Sequence, residues 1–365
     1  MSDETPPEPD RIEGLPHPRE TVGLHGQHAA EDIFLAASKG GRLHHGWLLT
    51  GPRGVGKATL AWRIARWAIA GMPDRPDGLH MDANDPVFRR IAALGEARIQ
   101  LCRRPWDEKT RKLRKQITVE EIRKLKTFFA MSAADGGWRV AIIDAMDDLN
   151  VAAQNALLKI LEEPPEKVLF LMVCHQPGRL LPTIRSRCRE LRLNPLSPDD
   201  LASVMQDKGL GGEADAAALT VLGGGSAGDA MRLIADDGVA IYANIVALTG
   251  TAPRMDRAIA TRIADGCAGR GAEERYDLTI RLIALLLSRL ARVGITGHLE
   301  REAVEGEAGV LSRLAPDHAA ALEWASLAEK TAERVGHARA VNLDPAQVIL
   351  DTFLAIDATA RHLRQ

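Results

Sequence analysis

The sequence predicts an α/β P-loop domain, a parallel sheet flanked by helices, followed by a small helical lid domain and an all-helical C-terminal domain. Three observations carry this. Strand and helix signals alternate up to about Arg192, as parallel βαβ units require. Gly51-Pro52-Arg53-Gly54-Val55-Gly56-Lys57 stands between an apolar run and an amphipathic helix. Beyond Asn194-Pro195-Leu196-Ser197-Pro198 strand signals fade and helical periodicity takes over.

With 365 residues the chain exceeds one ordinary core and suits several domains. The boundaries expected are a leader at 1–20, the P-loop domain at 21–195, the lid at 196–245 and the C-terminal helical domain at 246–365. The leader is acidic and proline-rich and reads as disordered, with neither the basic start nor the apolar core of a secretory signal. The most apolar stretch, Leu282 to Leu287, is broken by Ser288 and Arg289, so no membrane segment is expected. A net charge of −2 gives no global pull toward nucleic acid. The four cysteines, Cys102, Cys174, Cys188 and Cys267, form no CxxC pair, which argues against a zinc site or a disulfide framework and points to a reducing cytoplasm.

Trp47 to Thr50, Val140 to Ile143 and Val168 to Val173 are apolar without alternation, so each reads as a strand buried on both faces. Between Gly71 and Gln116 no order of elements emerges. That segment ends in RRPWDEKTRKLRKQ, with seven Lys or Arg in fourteen residues, either a solvated face or a contact for DNA phosphates. The glycine loop has the setting a P-loop needs: strand before it, then a helix carrying Leu60, Ile64 and Trp67 and closing at Gly71. Backbone N–H groups there can surround phosphate oxygens, the helix N-terminus adds partial positive charge, and Lys57 reaches the outer phosphates. Gly51, Pro52, Arg53, Gly54, Val55, Gly56, Lys57, Ala58 and Thr59 are therefore the candidate nucleotide-binding residues.

Ala58 stands where the pattern wants a Ser or Thr hydroxyl on magnesium, and Thr59 is turned about 100° away by one helical step. Asp144 closes the buried run Val140-Ala141-Ile142-Ile143 as a Walker B segment does and completes the nucleotide-binding set. Asp147 and Asp148 read as capping or surface charges. Asn150 is positioned to cap a helix from Val151 to Glu163 whose Ala153, Ala156, Leu157, Ile160 and Leu161 share a face, stopped by Pro164-Pro165. Asp344 and Pro345 mark the start of the last helix.

Several further segments carry a family resemblance: Gly136-Gly137-Trp138-Arg139; Asn155-Ala156-Leu157-Leu158-Lys159 with Leu161-Glu162-Glu163-Pro164-Pro165; Leu181-Pro182-Thr183-Ile184 with Ser186-Arg187-Cys188; and Asn342-Leu343-Asp344-Pro345. Behind a P-loop this combination resembles the bacterial clamp-loader subunits of the AAA+ class, from about residue 24 to the C-terminus. The resemblance implies an AAA+ α/β domain, a lid and a helical collar that holds a ring of subunits together. It also implies that Arg187 is an arginine finger reaching the ATP of a neighbouring subunit. The sequence alone does not single it out from Arg179, Arg185, Arg189 and Arg192.

Departures choose among the subunits. The family's water-polarising Glu after Walker B is Ala145 here, its sensor 1 threonine position falls at Cys174-His175, and its sensor 2 arginine is Gly228. Together with Ala58, they resemble the non-hydrolysing delta-prime branch. The resemblance then implies a subunit of a nucleotidyltransferase holoenzyme with no turnover of its own, holding ATP or ADP weakly or without hydrolysis. Implied partners are the gamma or tau and delta subunits, a sliding clamp, and primer-template DNA through the complex. The alternatives are an active gamma or tau-type ATPase and an unrelated P-loop kinase or GTPase. Of the region where many relatives carry a four-cysteine zinc module this chain keeps only Cys102, so no zinc is expected.

Overall fold

A computed structural model describes residues 7–11, 16–40, 43–74, 78–130, 136–210, 213–269 and 271–364. The chain divides into two compact units, Met1–Gly209 with Ser226–Gly228, and Leu210–Gly225 with Asp229–Gln365. The segment expected as a separate lid, 196–245, is thus shared between them.

The first unit is built on a five-stranded parallel sheet. In chain order its strands are β1 (Gly46–Thr50), β2 (Ile99–Arg103), β5 (Arg139–Asp144), β6 (Val168–Cys174) and β7 (Arg189–Arg192), in the spatial order β2-β5-β6-β1-β7. A separate antiparallel hairpin pairs β3 (Trp106–Asp107) with β4 (Lys112–Leu113). The three strands expected from apolar runs are the central ones, and every residue of β1 and β6 is buried.

Their side chains alternate between two cores. Trp47, Leu49, Val140, Ile142, Leu169, Leu171 and Val173 pack against α1 (His28–Lys39) and α2 (Lys57–Ile69). Leu48, Ala141, Ile143, Phe170 and Met172 face the opposite way, toward α4 (Val119–Ala130) and α5 (Val151–Glu162). Asn150 caps α5 by accepting from the Ala153 N–H at 2.9 Å, as expected. Ala153, Leu157 and Leu161 are its buried apolar residues, while Ala156 and Ile160 are only half-buried at the edge of that core.

Two expectations are corrected. The segment 72–116 read as without order, but it holds α3 (Pro86–Ala92), the sheet strand β2 and the hairpin; its residues 75–77 lie outside the described set. β2 was hidden because an edge strand lacks a continuous apolar run: Ile99-Gln100-Leu101-Cys102-Arg103 joins the sheet through its ladder with β5. The leader read as disordered, yet its described part is docked. Arg66 on α2, 1% exposed, donates to the carbonyl oxygens of Arg19 (3.0 Å) and Thr21 (2.9 Å). Arg19 pairs with Glu8 at 2.6 Å, and Asp10 with Arg103 at 2.6 Å. Arginine donors paired with distant carbonyl and carboxylate oxygens, which composition cannot announce, hold this polar segment down. Residues 1–6 and 12–15 of the leader lie outside the described set.

The second unit is helical: α8 (Glu213–Gly223), most of α9 (Ala227–Ala235), α10 (Gly238–Gly250), α11 (Arg257–Asp265), α12 (Glu273–Thr296), α13 (Glu307–Leu314), α14 (His318–Ala340) and α15 (Pro345–His362). The chain reaches them through α6 (Pro182–Arg185) and α7 (Pro198–Asp207) of the first unit. Gly294 lets α12 approach α14, since a Cβ there would stand 2.7 Å from the Asp317 carbonyl oxygen and 2.9 Å from Ala321 Cβ. Glu307, fully buried, accepts from Tyr242 and from Arg289, each at 2.6 Å, so its charge is paired and hydrogen-bonded. Among the described residues no single helix is long and apolar enough to cross a membrane.

Candidate functional site

The P-loop runs from the end of β1 into the first turn of α2. Gly51 and Gly54 have φ of +136° and +72°. Space as well as φ demands glycine at both: a Cβ at Gly51 would meet the Leu193 carbonyl oxygen at 2.3 Å, and one at Gly54 would meet Ser226 Oγ at 2.2 Å. Gln27 braces the loop by donating to the carbonyl oxygens of Val55 (3.1 Å) and Asn194 (2.8 Å) and accepting from the Asn194 N–H (3.2 Å). The Gly228 N–H donates to the Gly54 carbonyl at 3.1 Å, so the residue standing where relatives carry an arginine meets the loop through backbone alone.

Lys57 is buried, and its ammonium donates to the carbonyl oxygens of Gly51 (2.7 Å) and Pro52. Burial lowers it to about 8, against the opposing pull of Asp144 and Asp147. Pro52, Arg53 and Gly54 are exposed at the rim, Val55 is buried, and Ala58 and Thr59 are half-buried in the first turn of the helix.

Asp144 ends β5 beside this loop. Burial, then the carboxylate of Asp10, pushes it up to about 7 although Lys57 works in the opposite sense. A docked leader residue thus bears on the electrostatics of the Walker B position. Asp147 has the capping role expected for it: it accepts from the backbone N–H groups of His175 (2.7 Å) and Gln176 (2.6 Å). Burial and the neighbouring Lys57 hold His175 down to about 4, so its imidazole is neutral. Asp148 pairs with Arg104 at 3.3 Å.

The loop, the helix N-terminus and Lys57 fit an anionic phosphate group. A magnesium ion fits poorly: positions 58 and 145, where a hydroxyl and a carboxylate would serve it, offer only methyl groups. Cys102 is buried on β2 with its thiol pushed up to about 12, and among the described residues no group of three or more His, Cys, Asp or Glu could hold a metal ion.

Arg187 is elsewhere. It lies two residues before the start of β7, and its carbonyl oxygen lies 3.5 Å from where a Cβ on Gly46, the first residue of β1, would stand. All five strands are parallel, and the P-loop follows the last residue of β1. Arg187 and the P-loop therefore lie at opposite ends of the strands, separated by the full length of β1, roughly 16 Å at about 3.3 Å per residue. The Arg187 guanidinium, 38% exposed, pairs with Glu162 at the end of α5 (2.9 Å) and donates to the Thr183 carbonyl (3.1 Å). The structure thus brings Gly51 to Thr59 together with Asp144 and leaves Arg187 apart. Gln27, Asp10 and Glu162 escape a sequence reading, because nothing local marks a distant hydrogen-bond partner.

Residues 26–197 match the family model described as DNA polymerase III, delta subunit. The DNA polymerase III subunit delta' of Pseudomonas aeruginosa is 37% identical over 151 residues, 41% of this chain and 43% of that one. The subunit delta' of Yersinia pestis is 36% identical over 148 residues, 40% of this chain and 41% of that one. The subunit gamma of Buchnera aphidicola (subsp. Schizaphis graminum) is 30% identical over 215 residues, 55% of this chain and 54% of that one. The chain thus matches about half or less of the length of these relatives. A solved structure, the gamma subunit-related protein of Thermotoga maritima, is similar over 91% of this chain and 99% of that one, with 14% identity and a TM-score of 0.41. The matched stretch carries the sheet, the phosphate loop and Arg187, and over it the chain is similar to DNA polymerase III clamp-loader subunits, delta' subunits among them.

Proposed function

We propose that this chain is a delta'-type subunit of the DNA polymerase III clamp loader, binding ATP or ADP without hydrolysing it and supplying Arg187 to the nucleotide of a neighbouring subunit. The observation that carries this reading is the position of Arg187 at the end of the strands opposite its own P-loop, partly exposed and out of reach of a nucleotide bound there. The methyl groups of Ala58 and Ala145, in place of a metal-binding hydroxyl and a water-polarising carboxylate, support the lack of turnover.

In this reading the loop glycines and Lys57 hold phosphate, and Gln27 keeps the loop in shape. Arg187 leaves Glu162 and donates to the developing charge on a transferring phosphoryl group next door. The division into a P-loop domain at 21–195, a lid at 196–245 and a collar at 246–365 belongs to the same proposal. So do the gamma or tau and delta subunits, the sliding clamp, primed DNA met through the assembly, and a cytoplasmic setting.

Reconstitution with gamma or tau and delta subunits tests it. Arg187→Ala should leave assembly intact and abolish the share of DNA-stimulated ATPase that depends on this neighbour, the loss expected for an arginine finger being on the order of a thousandfold at that site. Unchanged activity in the mutant complex sinks the finger. Magnesium-dependent ATP turnover near one per second by the purified chain alone would favour the gamma or tau reading instead, that being within the ordinary enzyme range.

A further inference from the structure

The hairpin β3–β4 carries the basic run and has no part in the proposed function. Its base is tied to the first unit: Arg103 pairs with Asp10 (2.6 Å) and Glu8 (3.0 Å), and Arg104 with Asp148 (3.3 Å). The Arg114 N–H donates to the Pro105 carbonyl at 2.9 Å, and its guanidinium pairs with Asp107 at 3.2 Å. The tip differs. Lys109 and Arg111 at the turn, Lys112 at the start of β4 and Lys115 just beyond it are exposed, and among the described residues no carboxylate lies in ion-pair range of any of them. Arg111 stands at φ +50°, a conformation that Asn or Gly adopts more readily, so the chain places a cation where the backbone favours other residues.

Seven cations against the two carboxylates Asp107 and Glu108 make this the strongest local charge in a chain whose net charge is −2. Such a cluster repels itself and is relieved by a polyanion, above all by one whose phosphates release condensed counterions on contact. Neither Trp106 nor Leu113 is exposed enough to anchor a protein partner or wedge into a lipid surface, and lysine is depleted at protein interfaces. A two-stranded ribbon is also of a width that the major groove of B-form DNA admits.

We propose that hairpin β3–β4 grips double-stranded DNA directly through its phosphates, without reading sequence, by means of Lys109, Arg111, Lys112 and Lys115. This goes beyond the proposed function, where DNA is met only through the assembly. It is tested on the chain alone, so its failure leaves the reading of Arg187 untouched.

The experiment is fluorescence anisotropy of the full chain with a short labelled duplex over a range of salt concentrations. The unsubstituted chain should bind at low salt and weaken steeply as salt rises. The fourfold variant Lys109→Ala, Arg111→Ala, Lys112→Ala, Lys115→Ala should lose at least about tenfold in affinity and shed about 3 to 4 from the slope of log K against log salt, near 0.9 for each phosphate contact removed. A second variant, Lys109→Arg, Lys112→Arg, Lys115→Arg, keeps the charge and should bind like the unsubstituted chain. No binding by the unsubstituted chain, or equal affinity and slope in the alanine variant, overturns the proposal. Equal binding of polyglutamate, or of phosphatidylserine vesicles in place of duplex, overturns the assignment to DNA.

Discussion

Lys57 shows how burial tunes a single group. In the free protein its ammonium is held to about 8, and a bound polyphosphate would stabilise the charged form and raise it again. The protonated form is the one that binds phosphate, so nucleotide affinity is greatest below about pH 8 and declines as pH rises through that value. Isothermal titration with ADP at about pH 7 and pH 9 should show the decline, and Lys57→Met should weaken binding and remove its pH dependence. At Glu162 the expectation is opposite in kind. Its pair with Arg187 is solvent-exposed on both sides, 40% and 38%, and such pairs contribute only about 0–1 kcal/mol. Glu162→Ala should therefore shift the melting temperature by no more than about two degrees, and a larger fall would mean that the contact is structural. The loop glycines, Lys57 and Ala58 were legible as a local string, because backbone turn, helix N-terminus and lysine follow one another in sequence. Arg187 was not separable from its neighbouring arginines by spacing, and a family resemblance picked it out.

Among elements, legibility followed burial. β1, β5 and β6 are covered on both faces and left continuous apolar runs; β2 and β7 stand at the two edges of the sheet and left none. Arg189-Glu190-Leu191-Arg192 is a strand only because β1 offers it a ladder and Thr50 donates to Glu190 at 2.6 Å. Helix α5 tests the reverse case, where local signals suffice. Asn150→Ala should cost about 1 kcal/mol by leaving the Ala153 N–H without its cap. Leu157→Ala should cost about 2–5 kcal/mol, because Leu157 is fully buried between α5 and the sheet. Denaturant melts of the two variants would check the ranking, and a cap mutation costlier than the core mutation would contradict it.

For the whole molecule, the leader is the element whose fate depends most on distant partners. Removing residues 1–20 takes away Arg19, one of the two carbonyl acceptors of the buried Arg66 guanidinium, along with Glu8 and Asp10, the carboxylate partners of Arg103. Thr21 still accepts from the Arg66 guanidinium, but the lost hydrogen bond to a charged group contributes about 1.5–3 kcal/mol, so the truncated chain should melt several degrees lower in a thermal scan; an unchanged melting point would mean that the docking contributes little. Chelation should do nothing, since the cysteines lie apart and Cys102 is packed in the core. Dialysis against EDTA should leave melting temperature and far-UV dichroism as they were, and a drop would reveal a structural metal. What the sequence by itself determined was local: strand, glycine loop, helix, cap and stop, each fixed by residues within a few positions of one another, for which periodicity and backbone chemistry suffice. The edge strands, the docking of the leader against α2, the nearness of Asp10 to Asp144 and the placement of Arg187 at the other end of the strands from the P-loop were decided by tertiary structure. Each depends on pairing between residues far apart in the chain, and no local pattern encodes where a distant partner will stand.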